Sequence, residues 1–428
     1  MRGSRPPEPG GALVLGANYR GLGVVRSLGR RGVRVWVARS DEHAVACASR
    51  YAQRSIGWPG GGEGAQVDYL LSAAARHGLG GWTLFPTCDE TALLVARNRP
   101  RLERSYRLAA PTAEAMAVAY DKRATHACAA AADVDQPWTA FPASRPHVEA
   151  LECAFPVVLK PACKAEPNRL TTAKAWRADS RDELLALYDE ACGLMSPDLL
   201  MVQELVPGSG GAQLSYAALC VDGEPIASAS AVRLRQSPMD FGKASTHVQT
   251  TEDGDAAVQA RRLLRTLRFT GIVEVEFKRD ARDGRPKLLD VNARAWGWHT
   301  LCARAGVDFP WLHWQLVHGR PVGAVRAQPG VRWVRMSTDL PTSAREIRAG
   351  RMKPSAYLRS VRPPVEGAIH AADDPLPALV DLPVLAWLAA RRARRPGTGK
   401  SPWRLGPLVV GERRESVMKT SKAMDVRC

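Results

Sequence analysis

The sequence predicts an α/β fold, and three stretches carry the expectation. Residues 12–38 run from a short apolar strand through a glycine-rich turn and a helix into a second strand. Residues 155–161 and 199–206 are apolar strand patterns on either side of a helical stretch at 181–192. Residues 270–298 read as an antiparallel hairpin. A chain of 428 residues is long enough to bury a large core and to divide into two or three subdomains.

The hairpin carries the chemistry. Residues 272–278 alternate apolar and polar, Asp283-Gly284 supplies the turn, and residues 287–291 return. Side chains alternate with period two along a strand, so Glu274 and Glu276 share one face, as do Asp290 and Asn292. Glu276, Asp290 and Asn292 can therefore converge across the hairpin, with Arg294 two residues on. Two carboxylates and an amide oxygen suit a hard cation such as Mg²⁺ carrying phosphates. The same pattern also describes a solvated strand face whose acids pair with neighbouring Arg and Lys.

Composition narrows the classes. Cysteines 47, 88, 128, 153, 163, 192, 220, 302 and 428 are scattered without a C-x-x-C pair, which points to reduced thiols in a cytoplasmic protein rather than disulfides or structural zinc. The first ten residues lack the apolar core of a secretory signal, and no apolar run reaches the ~20 residues of a membrane span. The net charge is +17, and residues 320–428 hold 21 Lys and Arg against 9 Asp and Glu. No zinc finger, helix-turn-helix or aromatic-basic RNA signature accompanies that charge, so no specific nucleic-acid partner is expected.

In chain order, residues 12–15 form a strand, followed by the turn Gly16-Ala17-Asn18-Tyr19-Arg20-Gly21-Leu22-Gly23, a helix to about residue 31 and a strand at 33–38. Asn18 stands at the second glycine position of a dinucleotide fingerprint and no acid ends the second strand, which argues against NAD(P). A helix is expected at 67–77 and a strand at 82–86, which places Asp89 at the carboxyl end of a strand, where α/β sheets bind ligands. Asp89 as a helix cap is the alternative. Asp121-Lys122 opens a helix at 123–132. The strand at 155–161 ends in a lone ammonium, Lys160, between prolines, and burying it costs desolvation unless an anion meets it. The loop at 162–175 is free of glycine and holds Lys164 and Lys174. Strands are expected at 213–221 and 226–234. Arg233 or Arg235 offers a rigid fork for a carboxylate or phosphate, ahead of Pro238 and Gly242. Trp296, Trp298 and His299 open a helical stretch to 305 and either line a pocket or belong to the core. Asp373-Asp374 lies in a loop. Residues 378–390 are an apolar helix ending in arginines, suited either to packing on the protein or to weak contact with an anionic membrane. Residues 396–428 look disordered and basic.

In their order along the chain, five features together resemble the ATP-grasp ligases: the glycine-turn unit, Asp121-Lys122, the strand ending in Lys160, Gln203-Glu204 with Val206, and Asp290-Val291-Asn292-Ala293-Arg294. The resemblance covers about residues 11–325. It implies a Rossmann-like N-terminal domain, then an ATP-grasp fold of two α+β subdomains clasping ATP, with a helical basic C-terminal tail beyond. The implied boundaries are a flexible N-terminus at 1–10, the Rossmann-like domain at 11–115, the small lid subdomain at 116–206, the large subdomain at 207–325, an extension at 326–395 and the tail at 396–428.

The resemblance also implies roles. Glu276, Asp290 and Asn292 hold Mg²⁺, with Mn²⁺ as an alternative ion. Arg294 faces the transferring phosphoryl group. Lys122, Lys160 and Lys174 meet the ATP phosphates. Gln203, Glu204 and Val206 form the adenine hinge, with the Gln203 carbonyl accepting from the adenine amino group. Beside these, the residues' own chemistry and place assign Arg233 or Arg235, and Asp89, to the substrate. The implied activity joins a small carboxylic acid to an amine through an acyl phosphate, releasing ADP and phosphate in a biosynthetic setting. Three departures stand out: Asp290 where the family more often has Glu, Gln203 where Glu is commoner, and the glycine-free lid. That lid and the basic tail leave room for a non-catalytic nucleotide-binding or membrane-associated scaffold, and the first domain for an NAD(P)-dependent oxidoreductase.

Overall fold

A computed structural model describes residues 10–40, 44–163, 168–208, 210–237, 239 and 244–381. The expectations for residues 1–9, for Lys164, Pro238 and Gly242, and for the apolar helix and basic tail past residue 381 lie outside the described residues.

Strands β1 (Ala12–Leu15), β2 (Val35–Arg39), β3 (Arg54–Gly57), β4 (Trp82–Pro86) and β5 (Tyr106–Leu108) form a parallel sheet in the order β3-β2-β1-β4-β5. β1 and β4 are buried throughout, as expected of parallel strands covered on both faces. Helices α1 (Tyr19–Gly29), α2 (Glu63–His77) and α3 (Asp89–Arg97) are among those that cover it. The strand order turns at β1, so a crevice opens beyond the carboxyl ends of β1 and β4, where such sheets take ligands. Gly16 sits there at φ +130°, and a Cβ would run into the Thr87 hydroxyl, which itself donates to the Leu15 carbonyl at 2.9 Å. Only glycine fits that approach. Asn18 caps α1, accepting from the Arg20 and Gly21 amides.

Strands β6 (Thr139–Ala140), β7 (Val157–Pro161), β8 (Trp176–Ala178) and β9 (Leu200–Glu204) make a four-stranded antiparallel sheet in the order β6-β9-β7-β8. Helix Arg181–Cys192 packs on it through Leu184, Tyr188 and Ala191. The largest sheet comprises β10 (Gln213–Val221), β11 (Glu224–Ser237), β12 (Ala244–Thr251), β13 (Gly271–Arg279), β14 (Pro286–Asn292), β15 (Val325–Arg326), β16 (Arg332–Val334) and β17 (Glu366–Gly367). Its order is β14-β13-β10-β11-β12-β16-β17, with β15 paired to β11. β13 and β14 form the expected hairpin, and the turn holds Gly284 at φ +74°.

The segment after residue 331 is integrated rather than appended. It adds β16 and β17 to the large sheet. Its Asp373–Asp374 loop is fastened to α1 and to residues shortly beyond that helix. Arg26 Nε bonds the buried Asp374 carboxylate at 2.8 Å, and Arg30 and Tyr51 hold Asp373. One core joins α1 to the large sheet, with Leu22, Val24 and Leu28 packed among Trp296, Phe309, Trp314 and Trp333. Among the described residues no helix is long and apolar enough to cross a membrane.

Candidate active site

A cleft of about 1130 Å³ opens between the four-stranded sheet, the hairpin and the carboxyl end of β4. Its walls include Asp89, Lys122, Lys160, Lys174, Glu276, Asp290 and Asn292, so the residues separated most widely in the sequence meet in one place. The register explains the meeting at the hairpin. Glu276 stands opposite Asp290 and Glu274 opposite Asn292. The Asn292 amide nitrogen donates to Glu276 at 3.0 Å and to Glu274 at 3.2 Å, while its oxygen accepts from Arg294 at 2.8 Å.

Opposed charges fill this end of the cleft. Lys122 donates to Asp290 at 2.7 Å. Burial alone would raise the Asp290 carboxyl, but Lys122 first, then Lys174 and Lys160, hold it well below the usual carboxylate range. Lys160, at the end of β7, is pushed down to about 7, by burial and then by the neighbouring Lys122 ammonium. Two ammoniums within reach of each other at the end of an apolar strand call for a polyanion. The two acids, Glu276 and Asp290, suit a hard cation that would travel with it, while the Asn292 oxygen is turned to Arg294. Arg233, 6% exposed, lies across from these groups with Nη2 3.1 Å from Glu276.

The lid segment is described from residue 168. Arg169–Ala173 is a short helix whose cap is the Asn168 side chain, accepting from the Thr171 amide at 2.9 Å. Lys174 follows at φ +76°, an unusual conformation for a side-chain-bearing residue, and lines the cleft. Polar capping thus orders this part of a loop in which the sequence has no glycine.

The expected hinge residues Gln203, Glu204 and Val206 all line the cleft, and two of them hold protein partners. The Gln203 carbonyl accepts from Lys160 at 2.7 Å, and its amide donates to Thr139 at 2.9 Å and reaches His126 at 3.3 Å. Burial, then Lys160 and Lys122, push that histidine down to about 4, so it is neutral and can accept. Gln203 therefore orients Lys160 through its carbonyl oxygen, which keeps a second lone pair. Glu204 is likewise spoken for: its carboxylate takes Arg282, Lys287 and the Trp138 amide, and its own amide donates to the Trp138 carbonyl. Val206 lines the cleft, and its N–H has no partner among the described residues, which leaves it suited to the hinge.

Two expectations are corrected. Arg235 is not in the cleft. A register irregularity follows Arg233 on β11, and Arg235 turns into the interior, where it pairs with the buried Asp339 at 2.7 and 2.9 Å, bonds Ser360 and lies over Tyr357. Trp296 and Trp298 are core residues, each 1% exposed, and do not line the cleft. Asp89 is in the cleft wall, but Cys88 occupies the helix cap, and Asp89 accepts from Arg294 at 2.9 Å.

Glu274 is the residue that sequence reasoning passed over. It accepts from Trp298 Nε1 at 2.7 Å and Ser215 at 3.0 Å, and burial, then the adjacent Glu276, raise it to about 7. The period-two pattern put it on the face of Glu276. Its burial came from β10 and the Trp298 loop, which no local pattern displays.

The fold built around this site is that of the ATP-grasp proteins, which confirms the architecture expected from the sequence. A family model described as ATP-grasp in the biosynthetic pathway with Ter operon matches residues 200–339, from the hinge through the hairpin and beyond. Three solved structures share the fold at low identity. L-amino acid ligase from Bacillus licheniformis aligns at TM-score 0.57 and 14% identity, over 72% of this chain and 75% of that one. The biotin carboxylase domain of Hydrogenobacter thermophilus 2-oxoglutarate carboxylase, in complex with MgADP, ADP and bicarbonate, aligns at 0.59 and 12%, over 75% and 73%. Phosphoribosylglycinamide synthetase from Anaerococcus prevotii aligns at 0.53 and 14%, over 73% and 75%. None of the curated proteins matches the sequence.

Proposed function

We propose that the protein is an ATP-dependent ligase that joins a small carboxylic acid to an amine, releasing ADP and phosphate. One observation carries the reading: the cleft sets Lys122, Lys160 and Lys174 around Glu276, Asp290 and Asn292 in a single wall. This pairs a polyanion site with a hard-cation site. Glu276, Asp290 and Asn292 would hold Mg²⁺, the last through an oxygen that Arg294 holds here, and the ion when bound neutralises phosphate charge and orients the terminal phosphoryl group.

The chain's own groups supply the rest. Lys160, held by Gln203, and Lys122 meet the phosphates, and the Val206 N–H reads the base. A carboxylate is a poor electrophile. Its oxygen attacks the γ-phosphorus of ATP, the bond to ADP breaks, and an acyl phosphate forms. The amine then attacks the acyl carbon, phosphate departs with the C–O bond electrons, and the amine proton passes to solvent. Arg294, fixed by Asp89 and Asn292, faces the negative charge that builds on the transferring oxygens. Asp290 in place of a longer acid is compatible with this role, because Lys122 keeps it ionised.

Screening amino acids and simple carboxylic acids in pairs for stimulated ADP release by the full chain tests the proposal. Release that depends on both an acid and an amine is expected. Mg-ATP binding with no acid-dependent ADP release from any pair would overturn it in favour of a nucleotide-binding protein.

A further inference from the structure

Against the loop that leaves the hairpin, outside the lining of the nucleotide cleft, lies a second cationic site that the reaction above does not use. It is built on Tyr19, the first residue of α1, at the crevice beyond the carboxyl ends of β1 and β4. The Arg335 guanidinium lies over the Tyr19 ring at 4.1 Å from its centre, and Arg20 approaches the same ring at 6.0 Å. The Tyr19 hydroxyl rests against Gly297, where a Cβ would come within 2.8 Å of it. Gly297 belongs to the loop that leaves Arg294, so this site adjoins the end of the hairpin.

The arginines here are unlike their neighbours. Arg26, Arg30 and Arg31, on or just past α1, each pair with an acid, namely Asp374, Asp373 and Asp308. Arg235, close to Arg335 in space through the helix Met336–Arg348, pairs with Asp339 of that helix. Arg20 and Arg335 have no ion pair among the described residues, and the Nε of each is buried without an acceptor; Asp381 is near enough to feel the Arg335 charge but forms no ion pair with it. Arg294 adds a third guanidinium whose charge reaches Tyr19, and among the described residues it pairs with Asp89. Burial would raise the Tyr19 phenol, yet Arg20 and Arg335 lower it on balance, which registers the local excess of positive charge. The α1 amides do not serve an anion here, since Asn18 already accepts from those of Arg20 and Gly21. Recognition falls to the guanidinium forks and the phenol.

We infer that Tyr19, Arg20 and Arg335 bind an oxyanionic group of the acid substrate other than the carboxylate that reacts, so that the substrate class is a dianionic acid, a dicarboxylate or a phosphorylated acid. Calling the ligand a substrate rests on the ligase reading; the anion site itself does not. The reacting carboxylate lies towards Arg294, and the second group is held one guanidinium further on. An acid without that second group leaves both arginines unpaired and is discriminated against.

The test is calorimetric titration of the full chain, saturated with Mg-ADP, with matched probes: glutarate against butyrate, glutamate against glutamine, and phosphoserine against serine. The dianionic member of a pair should bind at least tenfold more tightly than its partner. Preference for glutarate and glutamate identifies a dicarboxylate substrate, and preference for phosphoserine a phosphorylated one. Arg335→Met and Arg20→Met should each erase that preference, while Arg335→Lys recovers part of it, with Mg-ADP affinity unchanged as the control for folding. Equal or undetectable binding of both members of every pair, or a preference that survives in Arg335→Met, overturns the inference. Should the dianions bind as expected while no acid stimulates ADP release, the ligase reading fails and the anion site stands.

Discussion

Asp89 accepts a hydrogen bond from Arg294 at 2.9 Å, with both side chains 7% exposed, and so ties the end of β4 to the end of the hairpin 205 residues later. The guanidinium is set in place by the first residue of α3, which follows β4. Asp89→Ala should remove that anchor and leave a buried cation short of its acid, at a cost of about 3–5 kcal/mol. The midpoint of urea unfolding measures this, and an unchanged midpoint refutes it. Asp89→Asn keeps an acceptor and should lose less stability, but it should still slow ADP release because Arg294 is held less firmly.

Glu276→Gln and Asn292→Ala each remove one oxygen donor from the proposed cation site. Each should slow acid-dependent ADP release at least a hundredfold, equivalent to about 3 kcal/mol in the barrier. Steady-state ADP production is the measurement, with circular dichroism to confirm folding. Release at the wild-type rate in either variant removes the role.

Lys160 makes nucleotide binding depend on protons. In the folded protein its pKa falls from 10.5 to about 7, chiefly through burial. Between those values the unfolded chain binds more protons, so this group makes the free protein more stable as pH rises through that window. Phosphates restore the ammonium. ATP binding at pH 8 should therefore take up a proton, seen as a dependence of the calorimetric heat on buffer ionisation enthalpy. Lys160→Met should abolish the uptake and weaken binding, and Gln203→Leu should weaken binding by loosening the ammonium.

Arg233 and Arg235 should separate cleanly. Arg235→Leu leaves the buried Asp339 without its partner and should cost about 3–5 kcal/mol of stability, while the folded fraction keeps its KM values. Arg233→Met frees Glu276 in the cleft and should alter the metal and ATP dependence of ADP release instead. A shifted KM for ATP in the first variant, or none in the second, would contradict this placement.

Much of the architecture was legible because it depends on local pattern. The strands at 82–86 and 213–221 and the helix at 181–192 have the bounds read from the sequence. The hairpin was legible from its two-residue period and Gly turn, although an irregularity between Glu276 and Phe277, which no period displays, shifts its register. What failed depends on partners that no local pattern carries. Gln203 shares its carbonyl with Lys160 of the neighbouring strand, a partner the sequence does not display. Arg235 looked like the twin of Arg233 until an irregularity between them turned it inward to Asp339. Glu274 alternates in step with Glu276, and only tertiary burial gives it a different character.

The fastening of Asp374 onto Arg26 has a consequence for anyone dividing this protein for expression. The two contacting side chains come from segments 348 positions apart, and each is almost sealed from water. A fragment ending near residue 325 would strand the Arg26 guanidinium on its helix, while one starting at 116 would deprive Asp374 of its counter-charge. The polypeptide is better regarded as a belt buckled through its first helix than as beads on a string, and shortened versions should come out insoluble where the intact chain does not.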